Sequence, residues 1–392
     1  MDLDFAPHES EFRTEVRAWL NEHLVGEFDE YRGVGSPTDD SAWDVRIRWE
    51  RELSAGGWLG LTWPKEYGGR GASLTQEIIF EYEYARAAAP ARVNGQALEL
   101  LGPAILAFGT PEQKARFLPR ILAVEDIWGQ GFSEPSAGSD LAAVSTRARR
   151  DGDKWVIDGQ KVWTTFGQHA DWLYVLCRTD PDASLRHKGL TMLLVPVDQP
   201  GVEIRPIANL VGSHEFSECF FTDARTDIDL VLGEVNGGWA VAMGTLGLER
   251  GAALLPMQLG MEREVFDVVE SARQSGLLDD PRYRHRIADA YIAVQLMRAT
   301  TMRVVAGLVH GKNDTDAATA ISKLFASQEH QRIGELATDV LGPKVQAALA
   351  SGPEGLLAAQ RIWLLSRAET IYGGTSEIQR NIIAERVLGL PK

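Results

Sequence analysis

The chain has 392 residues, 44% of them hydrophobic and 24% charged, a balance ordinary for a globular protein and a length suited to two or three packed domains. A formal charge of −15 argues against a nucleic-acid partner, because phosphate backbones are held by clustered Lys and Arg. The opening MDLDFAPHES has no basic region followed by an apolar run, and no apolar stretch approaches the roughly 20 residues that cross a bilayer. No signal peptide or membrane anchor is expected, and the protein reads as cytoplasmic.

The first part, 1–127, is patterned as helices, for example over 9–24 and 75–89, with a Pro/Gly loop at 63–71. Thr110 followed by Pro111 marks a helix start at 110–122. Across 128–234 the texture turns to short strands. Asp151-Gly152 and Asp158-Gly159 read as hairpin-type turns around the strand KWVI, and WLYVLCRT, GLTMLLVPV, VEIRPI and ECFFTD follow. Strands bunched without helices between them predict an antiparallel barrel or sandwich. Cys177 and Cys219, the two cysteines, lie among apolar neighbours without metal-ligand spacing and read as buried strand residues. After GEVNGG the remainder, 235–392, reads as long helices with short connections, an antiparallel bundle. The fold class is therefore mainly α with a central β domain.

Four segments carry candidate chemistry. FSEPSAGSD (132–140) is a hydroxyl- and glycine-rich bend whose N–H groups can hold phosphate oxygens, or a polar surface turn. GQKVWTTFG (159–167) sets the flat indole of Trp163 beside two threonines, which makes a stacking surface or a core tryptophan. From Trp239 to Leu259 the charged residues are Glu249 and Arg250; adjacent positions on a helix do not face each other. Glu249 is thus either paired with another helix or poised with a raised pKa. In ETIYGGTSEIQRNIIAERVLGL (369–390), Gly373 and Gly374 break one helix and Thr375 or Ser376 caps the next, with Ile378, Ile382, Ile383 and Val387 as its apolar stripe.

In this order the four segments resemble the acyl-CoA dehydrogenase family over nearly the whole chain. FSEPSAGSD is similar to the family's T/S-E-P-x-x-G-S-D, GQKVWTT to G-x-K-x-W-x-T, and YGGTSEIQRN to the C-terminal Y-x-G-T-x-E/Q-I-Q-R run. The resemblance implies an N-terminal helical domain, a middle β domain and a C-terminal four-helix bundle. It also implies FAD, held by Phe132, Ser133, Ser139, Trp163, Thr165, Thr375 and Glu377, with Ser139 also near the pantetheine of CoA. Many members carry the catalytic base directly before the Gly-Thr of the last motif, where this chain has Gly373. Others, similar to isovaleryl- and long-chain acyl-CoA dehydrogenases, carry it in an L-E-R on the helix after the β domain. That pattern makes Glu249 the expected base, with Arg250 orienting the site and its substrate.

The implied reaction is α,β-dehydrogenation of an acyl-CoA, without a metal, and the implied electron acceptor is an electron-transfer flavoprotein. Two departures bear on assembly. Family homotetramers use R-x-x-F-G and Q-x-x-G-G-x-G stretches of a neighbouring subunit to hold FAD, whereas this chain reads ARQSGLLDD (272–280) and ATDVLGPKV (337–345). A hetero-oligomer with a related chain is therefore expected beside the plain homotetramer. Alternative readings are a flavin oxidase or monooxygenase of the same fold and a non-catalytic partner subunit; a scaffold has no need of Glu249 on an apolar helix.

Overall fold

The computed structural model describes residues 7–33, 40–252, 254–309, 315–349 and 356–391. They form two compact units, one of Met1–Glu77, Ala87–Asn209 and Ser213–Glu249, the other of Ile78–Arg86, Leu210–Gly212 and Arg250–Lys392. Among the described residues no helix is long and apolar enough to cross a membrane.

In the first unit, α1 (Pro7–His23), α2 (Glu27–Glu30) and α3 (Trp43–Ala55) precede α4 (Leu74–Arg86), most of which belongs to the second unit, and α5 (Gly102–Phe108) and α6 (Pro111–Leu122) follow. Helix α1 buries Phe12, Val16 and Leu20, one face at helical spacing. Its Trp19 meets Trp49 and Trp58 with ring centroids 5.7 Å from each, so large aromatic surfaces fill this core. The expected start of α6 is a full capping box: Gln113 N donates to Thr110 Oγ1 and Thr110 N to Gln113 Oε1. The Gln113 amide then donates to the carbonyls of Asp229 and Val231, so the cap also ties the helix to the end of the β region.

The strands are β1 (Trp128–Gly131), β2 (Arg147–Asp151), β3 (Lys154–Thr165), β4 (Trp172–Arg178), β5 (Leu190–Pro196), β6 (Val202–Ile207), β7 (Phe216–Asp227) and β8 (Val231–Leu232). They pair in the order β6-β7-β3-β2-β4-β5-β8, with β1 on β4. Ile157, Leu173, Val175, Leu193, Val195, Cys177, Cys219 and Phe221 are buried together, so both cysteines take the expected place.

Two expectations need correction. The sheet is mixed, because β1 and β2 each run parallel to β4. Parallel pairing needs a long connection; the stretch from β1 to β4 contains the whole β2–β3 hairpin, which local texture does not reveal. Second, Asp158-Gly159 is no hairpin turn. It lies inside β3, where the register against β7 shifts between Ile157 and Gly159. A Cβ on Gly159 would sit 2.5 Å from Thr146 Oγ1, so glycine marks close backbone approach at a bulge. The Asp151-Gly152 turn does close the β2–β3 hairpin, with Gly152 at φ +63°.

Helix α7 (Gly238–Ala252) begins directly against β5: a Cβ on Gly238 would lie 2.5 Å from Met192 N. In the second unit, α8 (Leu254–Gln274), α9 (Pro281–Val309) and α10 (Thr315–Leu341) pack on one another and α12 (Ala358–Glu369) packs on α10, with α11 (Pro343–Leu349) and α13 (Ser376–Ile382) beside α10. Met261, Val265, Val294, Ile333, Leu336 and Val340 fill this bundle. A polar stitch crosses it. His330 of α10 bonds Glu264 of α8 through Nε2 and Glu369 of α12 through Nδ1, each at 2.8 Å. Burial disfavours the imidazolium, but the two carboxylates outweigh it and raise the pKa to about 10.

Candidate functional site

The chain leaves β1 at Gly131 and runs alongside β3. Phe132 is buried, its ring edge-on to Tyr174 at 5.6 Å, and its carbonyl accepts from Lys161 Nζ at 2.9 Å. One residue on, the Ser133 carbonyl accepts from Val162 N at 2.9 Å. Glu134 and Ala137 then close the turn by exchanging backbone hydrogen bonds, and Gly138, Ser139 and Asp140 lie exposed.

Beneath this turn lies an ion pair. Lys161 Nζ is 2.8 Å from Glu134 Oε1, with side chains 0% and 3% exposed. Glu134 also accepts from Thr146 N, Ser145 N and Ser145 Oγ at 2.7–2.8 Å. Burial opposes charge on Glu134, yet the Lys161 charge and these donors hold its pKa down at about 2. Burial lowers the Lys161 pKa while Glu134 pulls it back up. Sequence reasoning missed both residues, although each occupies a motif position.

Beyond Lys161 the ladder slips again. Lys161 pairs with Cys219 and Thr164 with Ser217, so Val162 and Trp163 together face one residue of β7. Trp163 sits at φ +63°, a left-handed conformation that is a genuine outlier for a bulky residue. Trp163 is 57% exposed, and its indole stands edge-on to Phe216 at 5.8 Å. Half-buried Thr165 pairs with Phe216 one step further. An exposed indole in an over-determined, strained backbone is the pattern of a ligand surface.

The structure thus joins the β1 exit to β3, a β1–β3 edge, through the Val162 N to Ser133 carbonyl bond; Phe132 is buried beside that join, Trp163 and Thr165 follow it along β3, and Ser139 lies exposed past the turn. Thr375 and Glu377 lie in the other unit. Thr375 caps α13 by accepting from Ile378 N at 3.2 Å, as expected, and exposed Glu377 is held below the usual carboxylate range by its own N–H and the Thr375 hydroxyl. The apolar stripe expected there is only half-buried at Ile378, Ile382 and Ile383 and exposed at Val387; Ser376 and Gln379 are the buried positions. Gly373 and Gly374 adopt φ +61° and +90°, and their carbonyls accept from Gln379 Nε2 and Lys323 Nζ. Glu249 and Arg250 belong to α7, and their side chains lie outside the described residues.

An exposed flat indole, with a half-buried threonine two residues on along the strand and the Ser133 backbone at the bulge, suits the face and polar edge of a planar heteroaromatic ring. These residues fit a flavin.

The chain matches the family descriptions "Acyl-CoA dehydrogenase, N-terminal domain" over residues 6–125, "middle domain" over 129–224 and "C-terminal domain" over 236–388. It is 49% identical to acyl-CoA dehydrogenase IpdE1 of Mycobacterium tuberculosis, across 97% of this chain and 98% of that one. Among solved structures it resembles the Tcur3481-Tcur3483 steroid ACAD with a TM-score of 0.85 at 33% identity, both chains fully covered. The ChsE4-ChsE5 complex of Mycobacterium tuberculosis gives a TM-score of 0.83 at 31% identity, again with full coverage of both chains. On these matches the chain belongs to the acyl-CoA dehydrogenase family, whose members are generally FAD-dependent oxidoreductases.

Proposed function

We propose that this chain binds FAD on the β1–β3 edge and catalyses α,β-dehydrogenation of an acyl-CoA, with Glu249 as general base. The observation that carries the reading is the exposed, left-handed Trp163, which follows directly on the Val162 N–H bonded to the Ser133 carbonyl. Strain of this kind persists where the surroundings enforce it, and it clusters at ligand sites. When bound, FAD supplies the acceptor for the hydride that leaves the β carbon.

The chain's own part is to bind, orient and move one proton. Glu249 lies in a stretch of α7 whose other residues are apolar or small, except for Arg250, and a carboxylate placed there is the chain's candidate to accept the proton. Gly238 sets the start of that helix against β5. The other family position for the base is Gly373, at φ +61°, which carries no carboxylate. Arg250 orients the substrate, and Ser139, Thr375 and Glu377 complete the cofactor contacts. The domain boundaries that go with this reading fall near residues 127 and 234, and electrons pass to an electron-transfer flavoprotein.

The names of the similar proteins support two further parts of the reading. The solved relative is called a steroid ACAD, which favours a bulky polycyclic acyl group here. Both solved relatives are named as two-chain assemblies, which fits the departures at 272–280 and 337–345 and favours a hetero-oligomer.

The test is anaerobic flavin bleaching of the purified protein by linear, branched and polycyclic acyl-CoAs, beside Glu249→Gln. Bleaching by the wild type, and none by a variant that keeps its flavin, is expected. A variant that bleaches normally removes Glu249 as the base. Full flavin occupancy with no second chain after purification removes the hetero-oligomer.

A further inference from the structure

We propose that the buried Lys161–Glu134 pair is a positioning element for the flavin site, fixing the Phe132–Ser133 backbone and the Trp163 bulge in their binding conformation. This rests on the flavin reading above and adds to it two residues that would not touch the cofactor.

A buried ion pair is weak evidence for stability, because desolvation offsets most of its attraction and an apolar pair of equal volume often does as well. What such a pair retains is direction. Lys161 Nζ donates to Glu134 Oε1 and to the Phe132 carbonyl, and Glu134 gathers Thr146 N, Ser145 N and Ser145 Oγ. Three segments meet on these two side chains: the exit of β1, the approach to β2, and β3 itself. No apolar substitute would hold the Phe132 carbonyl or those N–H groups in place.

The pair also abuts the bulge. Lys161 is the last paired residue before the register shift, and Trp163 follows two positions later at φ +63°. The Val162 N–H is tied to the Ser133 carbonyl, so the β1 exit and the bulge move together. On the far side, Thr164 and Thr165 return to the ladder opposite Ser217 and Phe216. The strained residue is held from both ends, and Lys161 is the nearer anchor.

The experiment uses the full chain, in the assembly in which it purifies, stripped of flavin and titrated with FAD. Dissociation constant, thermal midpoint of the flavin-free protein and flavin visible spectrum are read for the wild type, Glu134→Gln/Lys161→Met, Ser145→Ala and Leu53→Ala. The last creates a cavity in the helical core, at a side chain that is fully buried, and reports what mere destabilisation does. The charge-free double variant is expected to bind FAD about tenfold more weakly or worse, the scale of lost second-layer support, with a blurred spectrum and a midpoint no lower than that of Leu53→Ala. Ser145→Ala removes one donor to Glu134; it should fold even if the double variant does not, and it should weaken FAD binding severalfold. Leu53→Ala should melt early and bind FAD normally. FAD affinity unchanged in Ser145→Ala and the double variant, or lost only in proportion to the midpoint as Leu53→Ala defines it, overturns the positioning role. A wild type that takes up no FAD overturns the flavin reading itself, a failure visible before any variant is compared.

Discussion

Raising the pH should loosen the helical bundle through a single group, His330. Its side chain is 13% exposed, and those of Glu264 and Glu369 on either side are 23% and 12% exposed. As an imidazolium it donates to both carboxylates; neutral, it can donate to one only and turns a lone pair toward the other. Its pKa therefore rises from an ordinary 6.5 to about 10 in the folded chain. Because the folded value is the higher one, the stabilisation is complete below pH 6.5 and disappears as pH climbs through 10. At 1.36 kcal/mol per pKa unit the full effect is of the order of 4–5 kcal/mol, lost at no more than about 1.4 kcal/mol per pH unit. The assay is urea unfolding of wild type and His330→Gln at intervals from pH 6 to 10.5, followed by circular dichroism, with urea chosen because it adds no ionic screening. The gap between the two proteins should be widest near pH 6 and narrow steadily above pH 7. Parallel curves across that range would refute the assignment of a charged histidine to this stitch.

Three further outcomes follow from single contacts. With the ring lost in both, Trp163→Asn should be more stable than Trp163→Val by about 1–2 kcal/mol, because asparagine tolerates the left-handed backbone and a β-branched residue does not; equal thermal midpoints would remove the strain argument. Gly238→Ala would place a methyl 2.5 Å from Met192 N, so α7 must shift from β5. It should cost about 1–3 kcal/mol and also slow acyl-CoA bleaching, since that helix carries Glu249; a variant that melts and bleaches like the wild type would show that the contact is slack. Burial pushes the Cys177 and Cys219 thiols up to about 12 and about 11. A thiol reagent at pH 8 should therefore label neither in the folded protein and both in urea, and labelling of the native protein would contradict their burial.

Much of the fold was legible because helix signals are local. Pro111 behind Thr110, the paired glycines at 373 and 374, and the four-residue spacing of Phe12, Val16 and Leu20 each act within a turn or two of chain. The β region was less so. That Cys177 and Cys219 would be buried followed from their apolar neighbours, but which strands lie side by side depends on contacts far apart in sequence. The pairing of β1 with β4 joins residues 44 positions apart, such as Trp128 with Trp172, and no local pattern announces it.

The candidate site shows the same limit more sharply. Counted by alternation along β3, Trp163 has the parity of Trp155 and Ile157, both buried, and belongs in the core. It is exposed because the ladder slips between Lys161 and Thr164, and one unpaired residue turns every later side chain to the other face. Trp163 was therefore identifiable by resemblance to a family motif and not by periodicity. Lys161 and Glu134 escaped for the opposite reason. Charged residues are expected at the surface, and each alone would be costly inside. Their burial makes sense only as a pair, across 27 positions of sequence, with Ser145 and Thr146 supplying the remaining donors. The slip that exposes the indole and the ion pair beside it form one local arrangement: the strain lies in Trp163, and the bonds that hold its near side run through Lys161.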